Sequence, residues 1–410
     1  MTVDVRTRVD GPRAELDPSR FFDDELPARI DEYAAEIIPA LPFIRPRLLV
    51  LDVDGEPWTL MADDRGVTIE RGARPDAVAR ASLAREQLAD LVDDQQTIMS
   101  LWASGALDQQ VGQVGHLLDW WLVVRAALDG TPIYTPGSVA LDDASGRPLD
   151  LARTFRPDDD RDEMRHFLET AGYLHIEKLF SEAEMDAISA DMDRAAPSYT
   201  EGDGRSWWAR TAAGDTRVVR MQGFDRECDG ARAMVEDVRF LDLAQIPNAG
   251  HEFGRKRASN RIEALFKPIG VTEGISDIPW HKDCGIGRHS YDCCGLTVGI
   301  SVTGADENSG QLWALAGSHR ALVWSGVLQP DLDLPQVPLA TKTGDVTLHL
   351  SCTMHMAQPP VERERRVMYS GFSLPRLAAA DADAVSAARA RLGAVREGAP
   401  LTVLDRHFKS

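Results

Sequence analysis

Residues 279–283 have the sequence Pro-Trp-His-Lys-Asp, and residues 344–355 have the sequence Gly-Asp-Val-Thr-Leu-His-Leu-Ser-Cys-Thr-Met-His. Alternate side chains of a strand project from one face, so His281 and Asp283 can reach the same point. His355, 355 − 281 = 74 residues further along, can supply a third group from another strand. Two imidazoles and one carboxylate on one face of a metal leave three positions open, as oxygen-activating ferrous enzymes require.

Three open positions can bind a bidentate 2-oxo acid and then dioxygen. The far carboxylate of such an acid needs a fixed cation, preferably a guanidinium that forms two hydrogen bonds with it. Arg366 is the predicted partner, because it lies 366 − 355 = 11 residues after His355 and near the start of a predicted strand, Val367 to Leu374. Arg363 and Arg365 are competitors, and Arg365 would point to the opposite face if the strand has already begun.

Other histidines offer competing metal sites. His175-Ile-Glu177 has the same spacing of an imidazole and a carboxylate as His281 and Asp283, but no third ligand follows it in a recognisable frame. His349 is a competing third ligand six residues before His355, and the 11-residue step to the predicted arginine favours His355. A further cluster that suggests zinc consists of Cys284, His289, Cys293 and Cys294. Zinc binding is disfavoured there, because adjacent cysteines cannot easily ligate one tetrahedral ion and Cys-x-x-Cys spacing is missing.

Composition limits the classes of partner and the compartment. The net charge of −20 and the pI near 4.9 exclude broad attraction to nucleic acid or to an anionic membrane. Five cysteines, an odd number without framework spacing, indicate a reducing compartment. The sequence has no apolar run of the signal-peptide or membrane-spanning type. We therefore expect a cytoplasmic protein with a small-molecule substrate, no nucleic-acid partner and no membrane insertion.

Hydrophobic periodicity predicts two domains of an α+β protein. After an extension at 1–24, residues 25–130 form a small unit with a helix from Leu26 to Leu41, three short strands and a helix that ends at Gly130. The strands are Arg47 to Val53, Pro57 to Ala62 and Gly66 to Glu70. This unit resembles the sterol-carrier-protein-like fold, which implies an apolar tunnel. The alternative is that Trp120, Trp121 and the aliphatic residues on the same face of the helix that ends at Gly130 are simply core.

A Pro-, Gly-, Asp- and Ser-rich linker at 131–156 precedes the second domain, residues 157–377. Two amphipathic helices, the first closed by Gly172 and the second with a capping box at Ser181 and Glu184, are followed by many short strands. This order predicts two small sheets rolled together as a jelly roll. Residues 378–410 are predicted to form a terminal helix, Ala378 to Glu397, and a tail.

Five segments in this order and spacing resemble the phytanoyl-CoA dioxygenase family: GYLHIEKLFSEAEMDAI, PWHKD, ADENSGQLWALAGSHR, GDVTLHLSCTMHMAQ and RRVMYSGF. The resemblance covers residues 160 to 375 and implies a double-stranded β-helix (jelly-roll, cupin-like) oxygenase core with flanking helices. It also implies that His281, Asp283 and His355 bind Fe(II) and that Arg366 binds 2-oxoglutarate. Thr297 and Lys267 are further candidates for the co-substrate site.

The chain departs from the family at Gly299, where members often carry a large aromatic residue, and at the longer turn Asn308-Ser309-Gly310. Because Asp283 is present, the resemblance implies hydroxylation or another hydrogen abstraction with O2, acting on a biosynthetic intermediate or an acyl thioester. The alternative is a non-catalytic binding or transfer protein for an apolar ligand. The N-terminal unit could equally serve a homodimer interface.

Overall fold

The computed structural model describes residues 15–103, 105–253, 261–274, 280–283, 295–323 and 333–374. Within these ranges the chain is a mixed helix and sheet protein with two main buried apolar clusters, one N-terminal and one C-terminal. No helix in the described ranges is both long enough and apolar enough to cross a membrane. The predicted helix from Ala378 to Glu397 and the cysteine cluster at 284–294 lie outside the described residues.

The N-terminal unit is a five-stranded sheet covered by helices, with strand order β3-β2-β1-β4-β5. Its strands are β1 (Leu48–Val53), β2 (Glu56–Ala62), β3 (Val67–Arg71), β4 (Arg80–Leu83) and β5 (Asp108–Val111). Its helices are α1 (Pro18–Arg20), α2 (Leu26–Glu32), α3 (Ala34–Ile37), α4 (Arg85–Val92), α5 (Ile98–Ala103) and α6 (Val114–Asp129), with a π-helical turn at Phe21–Glu25 and a 3-10 helix at Ile38–Phe43. The β1–β4 pair is parallel and the other pairs are antiparallel.

Two details of this unit differ from the sequence prediction. The predicted helix from Leu26 to Leu41 is broken at Tyr33 and ends in a 3-10 helix, where Pro39 and Pro42 have no amide proton to donate. Phe21 and Phe22, placed by sequence in the extension, are buried in the core.

Among the described residues of the N-terminal unit, side chains leave little space between the sheet and α6. The cavity between the sheet and α6 has a volume of about 10 Å³ and is lined by leucines, Ile98, Val124, Trp120 and Trp121. A space of this size holds about one water molecule. Trp120 and Trp121 are therefore core residues in this structure, and the likeness to a sterol carrier stays a prediction.

The segment predicted as a linker packs against the C-terminal unit. Ile133 forms a parallel bridge with Leu322, and the Tyr134 amide donates to the Leu322 carbonyl over 3.1 Å. Phe155 forms a second bridge, with Ile176. These apolar side chains are buried, so burial of Ile133, Tyr134 and Phe155 fixes a segment whose composition alone predicts a free connection.

The C-terminal unit contains a nine-stranded sheet and a three-stranded sheet. The large sheet has the order β11-β7-β8-β10-β17-β12-β15-β6, with β9 also paired to β17, and the small sheet has the order β14-β13-β16. The strands are β6 (Tyr173–Ile176), β7 (Ser206–Thr211), β8 (Thr216–Gln222), β9 (Glu252–Phe253), β10 (Glu263–Lys267), β11 (Val271–Glu273), β12 (Gly295–Ser301), β13 (Leu312–Leu315), β14 (Gln336–Leu339), β15 (Val346–Leu350), β16 (His355–Ala357) and β17 (Arg365–Ser373). All of these pairings are antiparallel.

Helices cover one face of the large sheet. They are α7 (Arg161–Ala171), α8 (Glu182–Ala195), α9 (Phe224–Glu227), α10 (Asp229–Glu236) and α11 (Val238–Leu241), with 3-10 helices at Ala196–Ser198 and Asp242–Gln245. The predicted capping box is confirmed, because Ser181 Oγ accepts from the Glu184 amide and Glu184 Oε2 accepts from the Ser181 amide. Gly172, at φ 88°, ends α7 as predicted.

The strand register divides the side chains of the large sheet between two faces. Cross-strand neighbours on one face are apolar, buried and packed with the helices; we call it the outer face. They are Met221, Ala264, Met368, Ile300 and Val346. The opposite, inner face carries Thr297, Gly299, His349, Tyr369 and Arg365.

Asp119, in α6, makes the stability of the N-terminal unit depend on pH. Burial raises the pKa of this carboxyl to about 7, although the Arg45 amide donates to it over 3.4 Å. The folded state therefore holds the proton more tightly than the unfolded state, and its stability falls by up to about 4 kcal/mol as the pH rises from about 4 through 7.

Asp119→Asn should raise the melting temperature more at pH 8 than at pH 5. The exposed Asp24→Asn is the control, and equal effects of Asp119→Asn at both pH values would contradict the prediction.

Candidate metal centre

His281, Asp283 and His355 converge, with one potential ligand atom of each within 4.8 Å of the others. His281 and His355 form an antiparallel bridge in which each amide donates to the other's carbonyl over 2.9 Å. Their ring centroids are 4.2 Å apart. Asp283 Oδ1 lies 3.6 Å from His281 Nε2 and 3.7 Å from His355 Nε2. The structure thus brings together the three residues that the spacing predicts.

Backbone contacts fix the orientation of these ligands. His355 Nδ1 lies 3.0 Å from the Thr353 carbonyl, so Nδ1 carries the proton and Nε2 is left to face Asp283. The preceding amide, of Met354, donates to Ser318 Oγ over 2.8 Å. Lys282, between the other two ligands, is fully buried and donates to the Ser318 carbonyl. The turn at Ser318 therefore holds both ligand-bearing segments.

The protonation states suit a metal site. Partial loss of hydration opposes ionisation of Asp283, whose side chain is 38% exposed, but His355, His281 and His349 outweigh it and hold the pKa of Asp283 well below its usual range. Burial lowers the pKa of His355 well below its usual value, and the neighbouring histidines add to this effect. An ionised carboxylate beside a neutral imidazole is the form that binds a divalent metal.

Thr297 lies beside the candidate metal ligands. Sequence reasoning gave it a hydrogen bond to the co-substrate, but here its hydroxyl donates to Asp283 Oδ2 over 2.9 Å. His349, a competing ligand in the sequence, has Nε2 at 3.4 Å from the same oxygen, and its ring centroid is 4.2 Å from that of His355. The roles of both residues depend on the β12–β15 register, in which Thr297 and His349 are directly opposite.

Arg366 lies away from the candidate metal ligands, on the other face of the large sheet. Its guanidinium lies on the outer face, where it donates to the Ser189 carbonyl and to Asp193 Oδ2, each over 2.8 Å, and covers the ring of Phe266. The physical reason is strand register: β17 already begins at Arg365, so Arg365 and Arg366 point to opposite faces.

Arg365 instead points to the inner face and is only 3% exposed. Its Nη1 donates to the carbonyl of Gly310, in the predicted Asn-Ser-Gly turn, over 2.7 Å. Its Nε and Nη2 are buried and have no partner with full hydrogen-bond geometry within the described ranges, although the Tyr369 side chain lies close to the guanidinium. Burial lowers the pKa of Arg365, and the nearby Tyr369 opposes that shift. Lys267 is opposite Arg365 in the register and equally buried.

Gly299 leaves room for Tyr369 on the inner face. A Cβ atom at this position would lie 3.1 Å from the Tyr369 ring and 2.8 Å from Thr347 Oγ1. A larger side chain would displace both neighbours. The departure from the family pattern at Gly299 is therefore matched by an aromatic residue on the adjacent strand.

The second His-x-acid triplet has a different arrangement. His175 Nε2 lies 2.9 Å from Asp345 Oδ2, and both side chains are buried. Asp345 Oδ1 also accepts from the Lys178 amide, while Glu177 accepts from Thr154. His175 thus links β6 to the residue before β15, through a carboxylate that is not part of the candidate metal centre.

Residues 168–367 match the family model described as phytanoyl-CoA dioxygenase (PhyH), which supports an oxygenase-type enzyme. Among solved structures, the non-heme alpha ketoglutarate dependent epimerase SnoN from nogalamycin biosynthesis is similar at 17% identity, TM-score 0.41, over 52% of this chain and 83% of SnoN. AviO1 from Streptomyces viridochromogenes Tue57 is similar at 18% identity, TM-score 0.43, over 54% and 98%. EctD from S. alaskensis, solved with 2-oxoglutarate and 5-hydroxyectoine, is similar at 16% identity, TM-score 0.43, over 60% and 86%. No curated protein sequence matches the chain.

The Ser318 hydroxyl should be needed for stability close to the metal ligands. Ser318→Ala leaves the buried Met354 amide without an acceptor, which costs about 1–3 kcal/mol. The free energy of unfolding, measured by urea denaturation, should fall by this amount. Ser145→Ala, at an exposed position, is the matched control. A loss at Ser318 no larger than that at Ser145 would show that the hydrogen bond does not support the site.

Proposed function

We propose that this chain is a non-haem Fe(II) and 2-oxoglutarate-dependent oxygenase. The observation that carries the proposal is the convergence of His281 Nε2, Asp283 Oδ1 and His355 Nε2 on one point. The match of residues 168–367 to the dioxygenase family model supports it. A group of two imidazoles and one carboxylate fits ferrous iron and leaves open positions for a 2-oxo acid and O2.

The buried guanidinium of Arg365 fits the far carboxylate of 2-oxoglutarate. Two of its nitrogens are buried without a hydrogen bond in the described residues, which is costly unless an absent acceptor binds them. A carboxylate can accept from both nitrogens at once. Lys267 and Tyr369 lie on neighbouring inner-face positions, where they add positive charge and a hydroxyl. We therefore assign the co-substrate to Arg365 in place of Arg366.

Bound iron and 2-oxoglutarate would supply the oxidising chemistry, in which O2 converts the oxo acid to succinate and CO2 while a C–H bond of the substrate is oxidised. The chain's own contribution is to hold and aim these groups. His281, Asp283 and His355 supply neutral and anionic ligands. Arg365 fixes the direction of the co-substrate. His281 and His355 are buried, which limits the access of water to their side of the centre.

We further propose that the substrate is a small molecule, either a biosynthetic intermediate or an acyl thioester. The net charge of −20 gives no support for a CoA diphosphate, since phosphates need a basic surface. The competing function is a non-catalytic carrier of an apolar ligand. A cavity of about 10 Å³ in the N-terminal unit has no room for such a ligand, and all three metal ligands are in place.

Anaerobic titration with Fe(II) and then 2-oxoglutarate tests this function. The wild type should develop a visible metal-to-ligand charge-transfer band, and His355→Ala should not. Arg365→Met should raise the 2-oxoglutarate concentration at half-saturation by at least about 30-fold, since it removes a buried charge partner. Arg366→Met, the matched control, removes a pair with the exposed Asp193 and should leave that concentration nearly unchanged.

Two outcomes would overturn these assignments. A wild-type protein that gives no band and forms no succinate would favour the carrier function. A large loss of 2-oxoglutarate affinity in Arg366→Met, with none in Arg365→Met, would show that the guanidinium on the outer face is the one that binds the co-substrate.

A further inference from the structure

The two carboxylate oxygens of Asp283 have different surroundings. Oδ1 faces the Nε2 atoms of His281 and His355, at 3.6 and 3.7 Å. Oδ2 faces Thr297 Oγ1 at 2.9 Å and His349 Nε2 at 3.4 Å. One oxygen therefore lies with the metal ligands, and the other lies against the large sheet.

A chain of hydrogen bonds ends on Oδ2. Ser351 Oγ lies 3.2 Å from Thr297 Oγ1, so the Ser351 hydroxyl can donate to Thr297 while Thr297 donates to Asp283. His349 is 1% exposed, and its Nδ1 is buried without a partner in the described part of the chain. Its Nε2 is thus the nitrogen that faces a carboxylate, and in that tautomer the N–H donates to Oδ2.

The number of oxygens that Asp283 gives to the metal decides how many positions stay open. With two imidazoles, a carboxylate that binds through one oxygen leaves three positions of an octahedron, and one that binds through both oxygens leaves two. A bidentate 2-oxo acid fills two positions, so O2 needs the third. Two donors on Oδ2 occupy the lone pairs that a second metal bond would use.

We propose that Thr297 and His349 are positioning residues that hold Oδ2 of Asp283, so that Asp283 binds the metal through Oδ1 alone. This inference rests on the proposed function of the same site. Neither residue touches the metal in this arrangement. Both act by fixing the direction of one ligand, in the way that outer groups orient ligands in other metal sites.

The test compares Thr297→Val and His349→Phe with wild type by anaerobic Fe(II) titration and by the position of the charge-transfer band with 2-oxoglutarate. Each variant should bind Fe(II) roughly 10–100-fold more weakly and shift the band. The double variant should lose less affinity than the product of the two single losses, because both side chains act on one oxygen.

Conservative variants separate positioning from mere structural support. His349→Gln keeps an N–H donor near the place of Nε2, and Thr297→Ser keeps the hydroxyl, so both should recover most of the Fe(II) affinity and the wild-type band. His175→Phe is the matched control, because it removes another buried histidine, which lies against the carboxylate of Asp345. It should destabilise the fold without moving the band.

Single variants with wild-type Fe(II) affinity and an unshifted band would overturn the inference and leave the oxygenase function standing. A band shift in His175→Phe equal to that in His349→Phe would also overturn it, because general loosening of the sheet would then explain both. Failure of the wild type to bind Fe(II) and 2-oxoglutarate would overturn the proposed function and this inference together.

Discussion

The pair of backbone hydrogen bonds between His281 and His355 is the constraint on which the candidate metal centre depends. Each amide donates to the other residue's carbonyl over 2.9 Å, although the two residues are 74 positions apart. This bridge places two imidazoles side by side, and the alternation of an extended chain then directs Asp283 to the same point. The turn at Ser318 supports both segments, through Met354 and through Lys282.

The two sheets contribute different residues to the candidate site. The bridge and β16 contribute the imidazoles, while the inner face of the large sheet contributes the groups that surround them. The outer face of the large sheet carries a row of buried apolar side chains packed with helices. This row fixes the register of the strands that carry it, since a slip of one residue would expose it. The same register sends Arg365 inward and Arg366 to Asp193.

Much of the candidate site could be predicted from the sequence. His281 and Asp283 are two residues apart, so they point to one side of an extended segment, and His355 follows in a second recognisable segment. The capping box at Ser181 and the helix end at Gly172 could also be predicted, since each depends only on residues that are close together in the sequence. Spacing alone does not show where a strand starts, so the sequence could not indicate that Arg365 faces inward and that Arg366 pairs with Asp193. Thr297 and His349 were assigned to other roles, because their meeting at one carboxylate depends on pairing between distant strands.

We propose that one metal ion binds between His281, Asp283 and His355, with 2-oxoglutarate directed toward Arg365. A crystal structure prepared anaerobically with Fe(II) and 2-oxoglutarate, with anomalous diffraction at the iron edge, tests it directly. We expect one anomalous peak within bonding distance of the two Nε2 atoms and of Oδ1 alone, and the far carboxylate on Arg365. A peak at another group of residues, or no peak between these three side chains, would contradict the claim.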